Sequence, residues 1–486
     1  MSRILNFIFA CLSVFASFVA WGAINSWMGG SMPSAADAAT IELRAAKSRQ
    51  AILGETREES KKTGDQSNAL YNDPAFLMKW GLQKTDARRA WDVEQGSKDI
   101  VVAVIDTGVD ASHRNISANL WVNSGESGLM DTAACRKQQK SGSAAIPAGC
   151  DKSNNGIDDD GNGFIDDVHG WNFVQNNNDL IDNHGHGTHI AGIIGARGDG
   201  MNGVAPNVSL MVLKYFDPKS SGANNLKNTV QAIKYAVRMK ARVINYSGGG
   251  VEYSAEEFAA VKEAEQAGVL FVAAAGNEKS NSDEKGKHYY PADYGLANII
   301  SVTAVNKDQN VLASSNYGVR TVDLAAPGEN IYSTLPNGAY GLMTGTSQAT
   351  AFVTGVAALV MAHQRDLSYG DVKKYILRTG DEYPTLLSKT GTAKLLNSYK
   401  ALTSFDMGVG VSGVVAANAG AVSARSFSTE HDIKDPRLNT GALSASRDQG
   451  DEPAESIAMF GKDLLKAVRV PGAADPFGSQ AIEQKR

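Results

Sequence analysis

Five short runs rich in β-branched and aliphatic residues, at 100–105, 208–213, 242–246, 269–275 and 298–305, are spaced along the chain between segments of helical periodicity. Short runs that are apolar at nearly every position fit strands buried on both faces, as in parallel sheets, and not the in–out alternation of a sheet with one wet side. Leu226, Val230, Ile233 and Val237 recur at helical spacing, which predicts one buried helix face over 225–237. Ser254-Ala-Glu-Glu257, followed by apolar periodicity, predicts a capping box opening a second helix. Gly187-Thr-His-Ile-Ala-Gly-Ile-Ile194 reads as the first turns of a buried helix, and the smooth apolar run Ala351-Phe-Val-Thr-Gly-Val-Ala-Ala-Leu-Val-Met361 predicts another helix inside the molecule. Strands alternating with helices predict an α/β fold with a mostly parallel central sheet and helices on both faces.

Three segments bring chemistry to this scaffold. Asp106 follows the first strand run, and function in open α/β sheets gathers where such strands end. His184, His186 and His189 crowd the start of one buried helix, and spacing alone does not choose among them. Ser347, in Gly345-Thr-Ser347, precedes the other buried helix, whose free N-terminal N–H groups can hold developing negative charge. A serine hydroxyl needs an imidazole to take its proton, and the imidazole needs a carboxylate to fix its tautomer. An acid, a histidine and a serine in this order supply those parts.

With these motifs the chain resembles the subtilisin-like serine peptidases, the subtilases. The likeness rests on Asp106-Thr-Gly108, His186-Gly-Thr-His-Ile-Ala-Gly192, Gly345-Thr-Ser347 and Ala349-Thr350, within a region from about 72 to 403. It implies a subtilisin-like three-layer fold, an endopeptidase passing through an acyl-enzyme, and His186 as the catalytic histidine. It further implies that Asn277, after the run 268–276, lends its amide to an oxyanion hole shared with the Ser347 N–H. Gln348, Ala351 and Phe352 stand where the family usually has methionine, proline and histidine, which allows a narrower, processing role.

The same resemblance implies where substrate lies. Ser247, Gly248, Gly249 and Gly250 match the segment whose backbone pairs with an extended peptide, and Ser221 with Gly222 match the opposing side. Ala275 lies in the segment lining the pocket for the residue before the cut, and Tyr290-Pro291 matches a position where a cis proline helps shape it. No carboxylate occurs in the matched segments, so a medium or large apolar residue is expected there.

A second constellation is acidic. Asp158, Asp160 and Asn162 alternate before the sharp turn of Gly163, Phe164 can offer its carbonyl, Ile165 can anchor the loop and Asp166 follows. Alternating hard oxygens suit calcium. His169 stands where the helix–loop–helix calcium motif has its twelfth-position glutamate, so the stretch is only similar to that motif. The alternative is a solvated acidic insertion. Calcium here would be structural, as in calcium-stabilised subtilases with comparable insertions.

The chain ends carry other signals. Arg3 and the apolar stretch from Ile4 to Ile24 read as a secretory signal over 1–23, or as a membrane anchor if it is not cleaved. Export to a secreted, periplasmic or cell-surface location agrees with the cysteines. Of the three, Cys11 leaves with the signal, and Cys135 with Cys150 can form a disulfide worth about 3 kcal/mol. Residues 24–71, with a possible helix at 40–59, read as a short propeptide or linker, making the chain a candidate zymogen. Residues 404–486 turn polar and read as a flexible or processed tail with one possible helix at 454–468. A net charge of −5 without a recurrent basic patch argues against nucleic-acid binding.

Overall fold

The computed structural model describes residues 79–139, 145–147, 149–198 and 201–404. The signal segment, the 24–71 segment with the helix expected at 40–59, and the tail from 405 onward with the one expected at 454–468 lie outside the described residues.

The chain enters through two short helices, α1 (Trp80–Lys84) and α2 (Ala87–Trp91), and then forms β1 (Val101–Asp106). Next come α3 (Ala133–Gln138), β2 (Gly170–Asn172), α4 (His186–Gly195) and β3 (Ser209–Lys214). The second half adds α5 (Gly222–Arg238), β4 (Val243–Tyr246), α6 (Ala255–Gln266), β5 (Leu270–Ala274), β6 (Ile299–Val305) and β7 (Leu324–Pro327). A hairpin of β8 (Ile331–Leu335) and β9 (Ala339–Met343) leads into α7 (Thr346–His363). The described chain closes with α8 (Tyr369–Thr379), β10 (Asp381–Glu382), β11 (Lys394–Leu395) and α9 (Ser398–Thr403).

The main sheet has nine strands in the order β10-β11-β7-β6-β5-β4-β1-β3-β2. Its pairings are parallel apart from the β10–β11 edge. The chain builds outward from β1 through β3 on one side and through β4 on the other. Asp106 therefore ends the strand where the winding direction switches, the natural crevice of such a sheet.

Alternation along β1 explains why every position before Asp106 is apolar. Val102 and Val104 join one buried cluster with α4 and α7, whereas Ala103 and Ile105 join the other with α5 and α6. This is the three-layer α/β fold expected. The long run after Ser347 is buried from Thr346 to Ala362, as its lack of a polar face requires.

Two local expectations change. Leu226 is 37% exposed, its neighbour Asn225 being buried in its place, while Val230 and Ile233 are buried as expected. At α6 the Ser254 side chain does accept the Glu257 N–H, but the Glu257 carboxylate takes a bond from the Tyr294 hydroxyl at 2.8 Å. The reciprocal capping box forms at Ser368 and Asp371 of α8. No helix among the described residues is long and apolar enough to cross a membrane.

Candidate active site

β1 delivers Asp106 at its last position, 3% exposed. His186 is the first residue of α4, and its Nδ1 lies 2.6 Å from Asp106 Oδ1. A carboxylate can only accept, so Nδ1 carries the proton and Nε2 is left as the basic nitrogen. The close approach of β1 to α4 depends on Gly187, where a Cβ would lie 2.0 Å from the Gly108 carbonyl oxygen. The other two histidines serve elsewhere. His189 Nε2 bonds the carbonyls of Ile331 and Gly341, and burial, reinforced by His186, pushes its pKa down to about 3. Burial likewise lowers the pKa of His184.

A residue the sequence did not single out holds this corner together. Asp182 Oδ1 accepts from Thr107 Oγ1 at 2.9 Å and from the His184 and Gly185 N–H groups. Its Oδ2 accepts from the N–H and hydroxyl of Thr188. Thr107 Oγ1 in turn accepts the Gly187 N–H at 2.9 Å. One buried carboxylate thus satisfies the N-terminus of α4 and links it to the Asp106 turn. The available sequence signal was an aspartate four residues before a helix that is buried on every side.

Ser347 occupies the second position of α7, 4% exposed, and its Oγ donates to the Ser247 carbonyl at 3.0 Å. Behind it, Thr354 Oγ1 donates to Asn245 Oδ1, Asn245 Nδ2 reaches Ser247 Oγ, and Ser247 Oγ reaches the Ser347 carbonyl. This chain ties the end of β4 to the first turn of α7. Asn277 follows β5, and its Oδ1 accepts from the N–H and Oγ1 of Thr346 at 3.1 and 3.3 Å. With Oδ1 committed, Nδ2 is the amide's free donor next to the first turn of α7.

The segments expected to hold substrate leave neighbouring strands. β4 pairs with β5, so Ser247–Gly250 and Ala275–Asn277 emerge side by side. Ala275 is fixed between Val302 and Asn316. Gly250 exchanges both backbone bonds with Tyr290, at 2.9 and 2.7 Å, and the Tyr290–Pro291 bond is cis. Gly248 and Gly249 are crowded by Tyr215 and Tyr289 of the same molecule. Ser221 is the N-cap of α5 and Gly222 its first residue, so the opposing segment is a helix start.

Two of the carboxylates expected in the acidic loop converge with one from outside it. Glu126, Asp158 and Asp160 offer one oxygen each, all within 4.8 Å of one another. Glu126 is fully buried, also accepts from the Asp160 and Asp166 N–H groups, and has its pKa raised by burial. Asp166 stands outside that trio, its carboxylate accepting the N–H groups of Asn155 and Gly156. Asn162 Oδ1 accepts the Phe164 N–H, and its Nδ2 donates to Asp160 and Asp167. Ile165 does not anchor the loop, being 47% exposed. Phe164 does so, with its ring 5.0–6.0 Å from those of Tyr235, Trp171 and Phe173. Just upstream, Cys135 and Cys150 are joined, with Cα atoms 5.5 Å apart.

Comparison with known proteins agrees with the geometry. Residues 97–401 match the family model described as Subtilase family. The chain belongs to the subtilase family. By family it is of the subtilisin-like serine protease class. Among its relatives, thermitase of Thermoactinomyces vulgaris is 32% identical over 338 residues, covering 68% of this subtilase and 98% of thermitase. The major intracellular serine protease of Bacillus subtilis (strain 168) is 33% identical over 305 residues, covering 61% and 81% of the two chains. Subtilisin-like protease 1 of Plasmodium berghei (strain Anka) is 29% identical over 324 residues, 63% of this chain but only half of that protein's length.

In this subtilase the three departures after Ser347 are buried packing positions. Gln348 is 1% exposed, with Oε1 facing the Gly345 backbone. Phe352 lies on α1, where a Cβ on Gly81 would come 2.4 Å from its ring. Ala351 is fully buried in the same core.

Proposed function

We propose that this chain is an exported endopeptidase in which Asp106, His186 and Ser347 form the catalytic triad. The observation that carries the reading is the buried 2.6 Å contact between Asp106 and His186, made at the strand end where the sheet's winding switches. His186 Nε2 takes the Ser347 proton as Oγ attacks the scissile carbonyl, and Asp106 stabilises the imidazolium. The Ser347 N–H at the start of α7 and Asn277 Nδ2 receive the oxyanion. Protonated His186 then releases the amine, and water hydrolyses the acyl-enzyme. Substrate lies extended between Ser247–Gly250 and the Ser221–Gly222 turn, with Ala275 beside the residue before the cut.

The test is labelling of the purified protein with a serine-reactive fluorophosphonate. Labelling is expected, and is expected to vanish in Ser347→Ala. Equal labelling of the two proteins, or none of either, would refute the assignment. A mixed peptide library distinguishes broad digestion from processing of a few targets.

Calcium is proposed at the acidic loop. Oxygens bound to one calcium at 2.3–2.6 Å lie at most about 5 Å apart, and the Glu126, Asp158 and Asp160 oxygens meet that limit. Calcium there would hold the loop and take no part in cleavage. Residues 1–23 as signal and 24–71 as the chain's own inhibitory propeptide complete the proposal, with membrane contact only if the signal is retained. Mass analysis of the mature protein from active and Ser347→Ala forms tests where the ends lie and whether processing is autocatalytic.

A further inference from the structure

Gly249 and Gly276 lie on the two segments that flank the pocket for the residue before the cut, and the same aromatic ring presses on both. A Cβ built on Gly249 would lie 2.5 Å from Tyr289 Cε1, and one built on Gly276 would lie 2.8 Å from Tyr289 Cδ2. Those atoms are opposite corners of a six-membered ring. The ring therefore spans the gap between Ser247–Gly250 and Ala275–Asn277. Tyr289 is 6% exposed and its backbone is fixed, with its N–H donating to Asp293 Oδ2 at 2.8 Å. The next residue, Tyr290, is locked to Gly250 by two backbone bonds. Tyr215 crowds Gly248 from the same interior, so the ring has little room to withdraw.

We infer that Tyr289 closes this pocket from within and makes the enzyme select a small residue, alanine, serine or glycine, before the scissile bond. This rests on the substrate groove proposed above, and it reverses the sequence-based expectation of a medium or large apolar residue. Small residues lining a pocket predict a large substrate side chain only when no other side chain fills the space between them. Here Gly249 leaves room for Tyr289 instead, and Gly276 does so for Tyr289 together with Glu278 Oε2 and Asn316 Nδ2.

The test uses the full chain and a series of otherwise identical tetrapeptide p-nitroanilides ending in Ala, Leu, Phe or Lys. For the parent protein, kcat/KM is expected to be at least about tenfold higher for Ala than for Phe. Tyr289→Gly is expected to reverse that preference, and Tyr289→Phe, which keeps the ring, to retain it. A parent that prefers Phe or Leu overturns the inference, and so does a folded Tyr289→Gly with the parent profile. If Tyr289→Gly does not fold, the parent profile and Tyr289→Phe decide. Ser347-dependent fluorophosphonate labelling is measured in parallel and does not depend on this pocket. Its absence would refute the underlying catalytic reading, whereas labelling with the wrong preference would refute only the role of Tyr289.

Discussion

At the scale of single residues, what could be read from the sequence depended on how local each function was. Asp106, His186 and Ser347 sit in short motifs whose neighbours, Thr107, Gly187 and Gly345, carry a recognisable pattern. Asn277 was reached through the family resemblance of the strand and glycine–asparagine exit around it, and its amide is oriented by Thr346. Asn277→Ala should lower kcat by about 10²–10³ with little change in KM, because the lost donor acts mainly in the transition state. Steady-state kinetics on a peptide ester checks this; a rise in KM at constant kcat would instead mean that Asn277 binds ground-state substrate. Asn245 and Glu126 escaped notice for the opposite reason. Each acts on groups contributed by distant segments, as when Glu126 meets Asp160 across 34 residues. Such partnerships are products of topology, and no spacing rule announces them.

At the scale of elements, the buried strands were legible because both of their faces need apolar side chains, so the runs differ by only a residue or so from β1, β3, β4, β5 and β6. The acidic loop was legible as a stretch, and the fold adds Glu126 to Asp158 and Asp160. Alternating carboxylates nominate ligands, but the fold decides which of them converge: Asp158 and Asp160 meet Glu126, while Asp166 turns to the Asn155 and Gly156 N–H groups. Calcium at a hundredfold its Kd should stabilise the protein by about 2.7 kcal/mol. Unfolding of Ser347→Ala protein with calcium or with chelator measures this without self-digestion. Glu126→Gln should abolish most of the calcium-dependent gain, whereas Asp166→Asn should keep it; the reverse pattern would restore the sequence-based ligand set. The neighbouring Cys135–Cys150 bond closes a segment of 15 residues. Cys135→Ser with Cys150→Ser should cost up to about 3 kcal/mol, read from denaturant unfolding with and without calcium.

At the scale of the whole molecule, buried titratable groups pull stability in opposite directions as pH changes. Burial pushes the Glu257 carboxyl up to about 7 from its ordinary 4.5, and the Asp293 carboxyl up to about 7 from 3.8. A raised carboxyl pKa means that the folded state binds more protons than the unfolded chain between those values. The contribution of each group is therefore fully present below its ordinary pKa and is lost as pH rises towards 7. His189 works the other way. Its pKa is lowered from 6.5 to about 3, so its contribution is present above 6.5 and is lost as pH falls. Between about pH 4 and 6.5 the two trends offset one another, and the raw stability curve hides both. The difference between a parent and a variant exposes one of them. In a Ser347→Ala background, Glu257→Gln and Asp293→Asn should each be most harmful near pH 4 and lose a few kcal/mol of that penalty by pH 7.5. Urea unfolding at half-unit pH steps reads the difference directly. A difference that stays constant with pH would mean that neither carboxyl titrates within the folded range and that burial does not govern their ionisation.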